Sequence, residues 1–328
     1  MEFGIYLSPW DRNHELWGTE AYNDYFVTTM WELIAPTLSL YGPPFEVWLD
    51  GAHGPDVTRE QLRSYDGNWW LREIRQNAPG AVIALDHDVF WPGNEDGTAS
   101  PTNWSIRDDF ARWAPYECNT TIRTDTHWFW HPDDAPIGLS DLVDMYFRSV
   151  GRACTLLLNV PPDRRGLVSP EDEARLREWR AALDSIFDHD VAFRSAVTAS
   201  STRPGSPGWA AGAAVDDDPD SFWAAEADTA SVEIDLGQPQ TVNVLELAEP
   251  IRYGQRIGAF RLDAWDGRAW TTVARGTTVN YKRLLRFPPT TAQRWRVVVE
   301  ESRAAPALSQ IGLYSALDWS TDWATREP

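Results

Sequence analysis

Through roughly residue 190, short apolar runs alternate with longer segments whose apolar positions recur at helical spacing. Phe3–Ser8, Phe45–Asp50, Ala81–Asp86 and Thr155–Val160 read as strands. Phe26, Met30, Trp31, Leu33 and Ile34 mark a helix over Ala21–Leu40. Leu62, Trp69, Trp70 and Ile74 mark another over Thr58–Asn77, and Leu142, Val143, Tyr146 and Val150 a third over Ser140–Arg152. Ser169-Pro170-Glu171-Asp172 is a helix start, with proline at the first position and acids in the first turn. That helix continues through Leu176, Trp179, Leu183 and Ile186. Strands alternating with helices predict a parallel sheet, here a (β/α) barrel.

Ser195–Gly208 is rich in Ser, Thr, Pro and Gly and marks a boundary. Beyond it the pattern changes to short alternating runs: Val232–Leu236, Val242–Leu247, Phe260–Trp265, Trp270–Ala274, Arg283–Phe287 and Trp295–Val299. Asp266-Gly267 is a hairpin turn signal. Turns about every ten residues predict an antiparallel β-sandwich or jelly roll.

Length and composition narrow the function. With 328 residues, 43% hydrophobic, the chain can fill two cores. A net charge of −20 argues against nucleic acid and against adhesion to an anionic membrane. A neutral partner such as a glycan fits better, and the 19 tryptophans offer apolar faces for sugar rings as well as for cores. No run of 18 apolar residues exists, so no transmembrane helix is expected. The only cysteines, Cys118 and Cys154, lack zinc-type spacing; whether they pair is open at this level. No basic segment followed by an apolar run opens the chain, so no signal peptide is read in it.

The candidate chemistry begins at Phe45-Glu46-Val47-Trp48-Leu49-Asp50-Gly51, an apolar strand that ends on a carboxylate and breaks at a glycine. The C-terminal ends of buried parallel strands are where barrel enzymes hold catalytic residues. A loop or helix-capping aspartate is the plainer alternative. A second carboxylate, Glu117, stands in Trp113-Ala114-Pro115-Tyr116-Glu117-Cys118-Asn119. Apolar surroundings would raise its pKa, as a general acid needs; a solvated loop glutamate is the alternative. One ionised and one protonated carboxyl are what glycoside hydrolysis requires.

At this level the chain resembles the α-L-fucosidases of glycoside hydrolase family 29. The runs that carry the resemblance are FGIYLSPWDRN, EVWLDGAHG, FWPGNEDG, WAPYECNTTI with WFWHP, and LLLNVPPDRRG. From about residue 196 the chain resembles the discoidin-like (F5/8 type C) sandwich, through SFWAAE, SVEIDLG, EPIRYGQRI, AWDG, GTTVNYKRLLRFP and SQIGLY. The fold so implied is an incomplete (β/α)8 TIM barrel over 1–190, a linker over 191–205, a galactose-binding-like sandwich over 206–316 and a tail over 317–328. The resemblance places the nucleophile on Asp50 and the general acid/base on Glu117. It places a sugar contact on Tyr6 and an aglycone contact on Trp128, with packing of a loop onto the barrel top as the alternative for Trp128. Trp48, two positions before Asp50 on an extended strand, points the same way and can line the pocket beside it. His53, three residues after Asp50, is a further substrate-side candidate, with an exposed loop histidine as the alternative.

The implied reaction is double displacement with retention, on a fucosylated oligosaccharide or glycoconjugate. The two carboxyls would stand roughly 5–5.5 Å apart. No cofactor is implied, apart from a structural calcium that Asp216, Asp217, Asp218 and Asp220 could hold, with a solvated turn as the alternative. Family habit implies export. Two departures stand out. The family's early His-His strand has no counterpart, so the barrel's first strands are expected to be missing. Phe90 stands where the family commonly has Arg. The alternative function is therefore a catalytically impaired homologue that binds carbohydrate, with Arg203, Trp209 and Trp223 as a candidate sugar face on the sandwich and a core position as the favoured alternative for Trp223.

Overall fold

The computed structural model describes residues 2–8, 10–22, 24–26, 28, 40–50, 67–84, 88–107, 112–124, 127–205 and 207–317. The chain divides into two compact units, Met1–Trp91 and Pro92–Pro328.

In the first unit, strands β1 (Gly4–Leu7), β2 (Glu46–Leu49) and β3 (Val82–Ile83) form a parallel sheet in that order. Helix α1 (Gly67–Asn77) connects the last two. Leu7, Val47, Ile83, Ala81 and Ile74 share one core with Tyr22 and Phe26. This is the arrangement that continuous apolar strands with intervening helices dictate. The expected helices over 21–40 and 58–77 and the strand over 81–86 are each described only in part.

The second unit opens with a short antiparallel pair, β4 (Ile106–Arg107) and β5 (Arg112–Trp113). Strand β6 (Tyr116–Thr121) follows, then helix α2 (Leu139–Arg148), strand β7 (Cys154–Asn159) and helix α3 (Pro170–Phe187). β6 and β7 are parallel, and the disulfide Cys118–Cys154 joins them, settling the pairing that the sequence left open. A cross-link closing a loop of this size restricts the unfolded chain by about 4 kcal/mol in the entropic model. α3 starts as the sequence predicts: Ser169 caps it by accepting from the Asp172 amide at 3.2 Å. Arg123, buried, donates to Asp172 Oδ1 at 2.6 Å and ties β6 to the start of α3.

The remainder is the predicted antiparallel sandwich. Its strands are β8 (Ala196–Ala199), β9 (Trp223–Ala224), β10 (Ala230–Ala248), β11 (Ile257–Trp265), β12 (Trp270–Gly276), β13 (Arg283–Ser302), β14 (Ala307–Leu308) and β15 (Gln310–Tyr314). The main sheet runs β12-β11-β13-β10-β15, with β8 also pairing with β10. The Asp266-Gly267 turn joins β11 to β12, Gly267 taking φ +96°. Two expectations change. Residues 191–205, expected as a linker, belong to the sandwich: β8 lies within them, and Ala192 is fully buried in its core. Four of the expected short strands fuse pairwise into β10 and β13. Their register shifts between Asp235 and Gln240, where Pro239 interrupts the ladder, so a bulge replaces the expected turn.

α2 and α3 pack on the sandwich through Val143, Phe147, Ala182 and Ile186 against Val244, Leu284 and Tyr314. The buried Arg286–Asp144 pair at 2.7 Å lies in the same interface.

Two carboxyls buried in this unit set its pH dependence. Burial pushes Glu249 up to about 7, against backbone donations from Arg256, Ile257 and Asn280. Burial likewise pushes Asp190 up to about 6, against donations from the Leu313 and Ala192 amides. A raised carboxyl pKa means that the folded state binds protons more readily than the unfolded one. The corresponding stability is complete below the ordinary carboxyl range and is lost as pH rises through 6 and 7. Thermal melting is therefore expected at a higher temperature at pH 5 than at pH 8, with Glu249→Gln flattening the difference. A melting temperature that rises from pH 5 to pH 8 would contradict this.

Candidate active site

The site residues of the first unit are placed by strand register. Tyr6 on β1 stands opposite Trp48 on β2, and their rings stack at 5.6 Å between centroids with 22° between planes. Alternation explains the sidedness: Val47 and Leu7 enter the core, while Tyr6 is 58% exposed on the other face. Asp50 follows the last residue of β2, and its amide extends the ladder to the Leu7 carbonyl at 2.8 Å. The Tyr6 hydroxyl donates to Asp50 Oδ2. Two aromatic faces and an oriented carboxylate thus meet at the C-terminal edge of the parallel sheet. An apolar face, a hydroxyl and a carboxylate are groups that can contact a sugar ring. His53 lies outside the described residues.

In the second unit the expected site residues are separated. Glu117 is the second residue of β6, opposite Thr155, and only 6% exposed. It therefore sits at the N-terminal start of its strand. Trp128, half-buried, is held at the other end: its carbonyl accepts from Asn159 Nδ2 at 2.9 Å. Thr121, which closes β6, donates to the neighbouring His127 carbonyl at 2.8 Å. Four residues of extended strand, roughly 13 Å, separate the two ends.

A carboxylate that the sequence reading passed over is Glu95, in the segment that follows the C-terminal end of β3. It is exposed, between Gly93 and Gly97, both at positive φ. Gly97 anchors the segment: its amide donates to the Asn119 carbonyl at 3.2 Å, and a β-carbon there would meet Thr120 Cγ2 at 2.6 Å. Its signal in the sequence is the FWPGNEDG run, in which Glu95 follows Pro92, Gly93 and Asn94. Phe90 is fully buried.

The aspartates of 216–220 are spent locally. Ser221 Oγ donates to Asp216 at 2.8 Å, Asp218 Oδ1 accepts from the Asp220 amide at 2.9 Å, and Asp220 pairs with Arg252 at 2.5 Å. Among the described residues no three His, Cys, Asp or Glu gather as a metal site. Trp223 is fully buried and donates to the Ser201 carbonyl, so it belongs to the core and not to a sugar face.

Parallel strands carrying a carboxylate and aromatic rings at one edge, followed by a sandwich, are features of a glycoside hydrolase with an accessory module. The family model described as alpha-L-fucosidase matches residues 1–184, and that described as F5/8 type C domain matches 196–311. Alpha-L-fucosidase 1 of Arabidopsis thaliana is 37% identical over 95% of this chain and 65% of its own length. A rice (Oryza sativa subsp. japonica) relative is likewise 37% identical over 95% of this chain and 63% of its own. The chain thus spans less than two thirds of the curated relatives it matches. The crystal structure titled SpGH29 superposes with a TM-score of 0.86 at 32% identity, over 96% of this chain and 74% of that one. A Ruminococcus gnavus GH29 fucosidase in complex with fucose gives 0.85 at 29%, over 98% and 73%. The chain belongs to the α-L-fucosidase family, GH29, and carries an F5/8 type C domain.

Proposed function

We propose that this chain is a retaining α-L-fucosidase that releases terminal α-linked L-fucose from glycans. The observation that carries the reading is the Tyr6–Trp48–Asp50 cluster at the end of β2. The fucose bound to the R. gnavus relative supports the sugar. In this reading residues 1–190 are part of an incomplete (β/α)8-type barrel. Asp50 attacks the anomeric carbon, the glycosidic oxygen leaves with a proton, and a covalent fucosyl-enzyme forms. Water then attacks that intermediate, giving up its proton to the same acid/base residue. The Tyr6 hydroxyl orients the attacking carboxylate, and Trp48 offers its face to the sugar.

The motif resemblance gives the acid/base role to Glu117. Strand polarity favours a second reading. Catalytic groups of barrels gather at C-terminal strand ends. Asp50 follows the end of β2 and Glu95 lies in the segment after β3, whereas Glu117 opens β6. Glu95 is also the exposed carboxylate of the two, open to exchange a proton with substrate and water.

A further part of the reading is export, which the β6–β7 disulfide supports, since such bonds persist in oxidising compartments. The binding-protein alternative draws no support from the relatives. The test is proton NMR of a fresh reaction on an aryl α-L-fucoside: α-L-fucose should appear first and mutarotate later. β-L-fucose first, or no release at all, would end the proposal.

A further inference from the structure

The sandwich does more than pack beside the helices. The segment Pro101–Ser105, six residues downstream of Glu95, is hydrogen-bonded to it along its length. The Gln255 amide, 3% exposed, grips the backbone twice: Oε1 accepts from the Ser105 amide at 2.9 Å and Nε2 donates to the Asn103 carbonyl at 2.7 Å. Thr278 Oγ1 accepts from the Asn103 amide at 2.8 Å. Asn280 Nδ2 donates to Ser105 Oγ at 2.6 Å. The Pro101 carbonyl takes Thr277 Oγ1 at 2.8 Å and Arg283 Nη1 at 2.9 Å. Arg303 stacks over Trp104 at 3.6 Å.

Upstream, Ala99 is held on both sides: its amide donates to the Arg148 carbonyl at 2.8 Å and its carbonyl accepts from Arg152 at 2.9 Å. From Gly97 to Ser105 the segment is therefore a strap with anchors at short intervals. Its downstream half uses sandwich residues 150 or more positions away in sequence. Asn103, Ser105, Gln255, Thr278 and Asn280 are all buried. Buried polar groups left unpaired are costly, so this half cannot hold its shape without the sandwich.

We infer that the sandwich is a positioning element for catalysis, with Gln255 as the residue that fixes the strap into which the Glu95 segment runs. The inference rests on the reading of Glu95 as acid/base. A displaced acid costs most where the leaving group needs a proton most, because an acidic phenol departs unaided.

The test measures kcat and KM of the full chain on two fucosides, phenyl and 2-chloro-4-nitrophenyl. Gln255→Leu should lower kcat/KM on the phenyl fucoside by about 10-fold or more, with little change in kcat/KM on the activated one, since kcat/KM reports the first step, where the acid acts, and small misplacements of a catalytic group are costly. Gln255→Glu, which keeps an acceptor for the Ser105 amide, should recover part of the loss. If Gln255→Leu does not fold, Thr278→Val removes one hydroxyl from the same grip and should shift the ratio in the same direction. Equal loss of kcat/KM on both substrates, as simple destabilisation would give, overturns the inference. Glu95→Gln, run in parallel, separates the two claims. If it moves the ratio and the Gln255 and Thr278 variants do not, the positioning role alone falls. If it leaves the ratio untouched, the reading of Glu95 falls and takes this inference with it.

Discussion

Replacing Asp50 with Ala is expected to lower kcat on an aryl α-L-fucoside by about 10⁴-fold or more, the scale on which removal of a nucleophile acts. Asp50 lies one residue past β2 and is not among the buried residues of the core, so melting should stay close to that of the parent chain. The loss should be chemical, not structural, and azide distinguishes the two. Azide can enter the space the carboxylate leaves and attack the anomeric carbon from the same face, expelling the phenolate. The product would be β-L-fucosyl azide, with configuration inverted. Restored release of the phenol together with that product assigns the role. Parent-level activity in Asp50→Ala removes it.

Asp50 was legible because its signal is local. An apolar run that stops on a carboxylate and a glycine needs no tertiary knowledge, and Trp48 shares its face by the two-residue period of a strand. β6 was not legible. Its residues Glu117, Cys118, Asn119, Thr120 and Thr121 are mostly polar yet all buried, so the run has neither the apolar continuity of an interior strand nor an alternation. What holds β6 is long-range: the bond to Cys154 and the parallel ladder to β7. Long β10 and β13 were misread for a related reason. Gly237, Pro239, Pro288 and Pro289 signal turns locally, but the paired strands absorb them in two separate register shifts without reversing. The grip of Gln255 has no sequence signature, because one amide contacting a backbone 150 residues away leaves no period. Glu95 was hidden by its loop, where exposed carboxylates are ordinary.

The acid/base assignment produces the second large effect. Glu95→Gln should slow hydrolysis of a phenyl fucoside by about 10²–10⁴-fold, the usual contribution of a positioned acid, and spare an activated fucoside in its first step. With the base also gone, water attacks the fucosyl-enzyme slowly, so the intermediate should accumulate on the activated substrate and give a burst of phenol. Azide needs no base; it should relieve the block and yield α-L-fucosyl azide, the retained product and the opposite anomer to that from Asp50→Ala. Glu117→Gln should behave differently. Its side chain is buried on β6, in the residue preceding the disulfide-bonded Cys118. Exchange of a carboxyl for an amide there should act on melting temperature and leave the dependence on leaving group unchanged. The reverse pattern, with azide rescue in Glu117→Gln and none in Glu95→Gln, would return the role to Glu117. Strand polarity would then have misled, since a residue opening β6 would be working in the chemistry that begins at the end of β2.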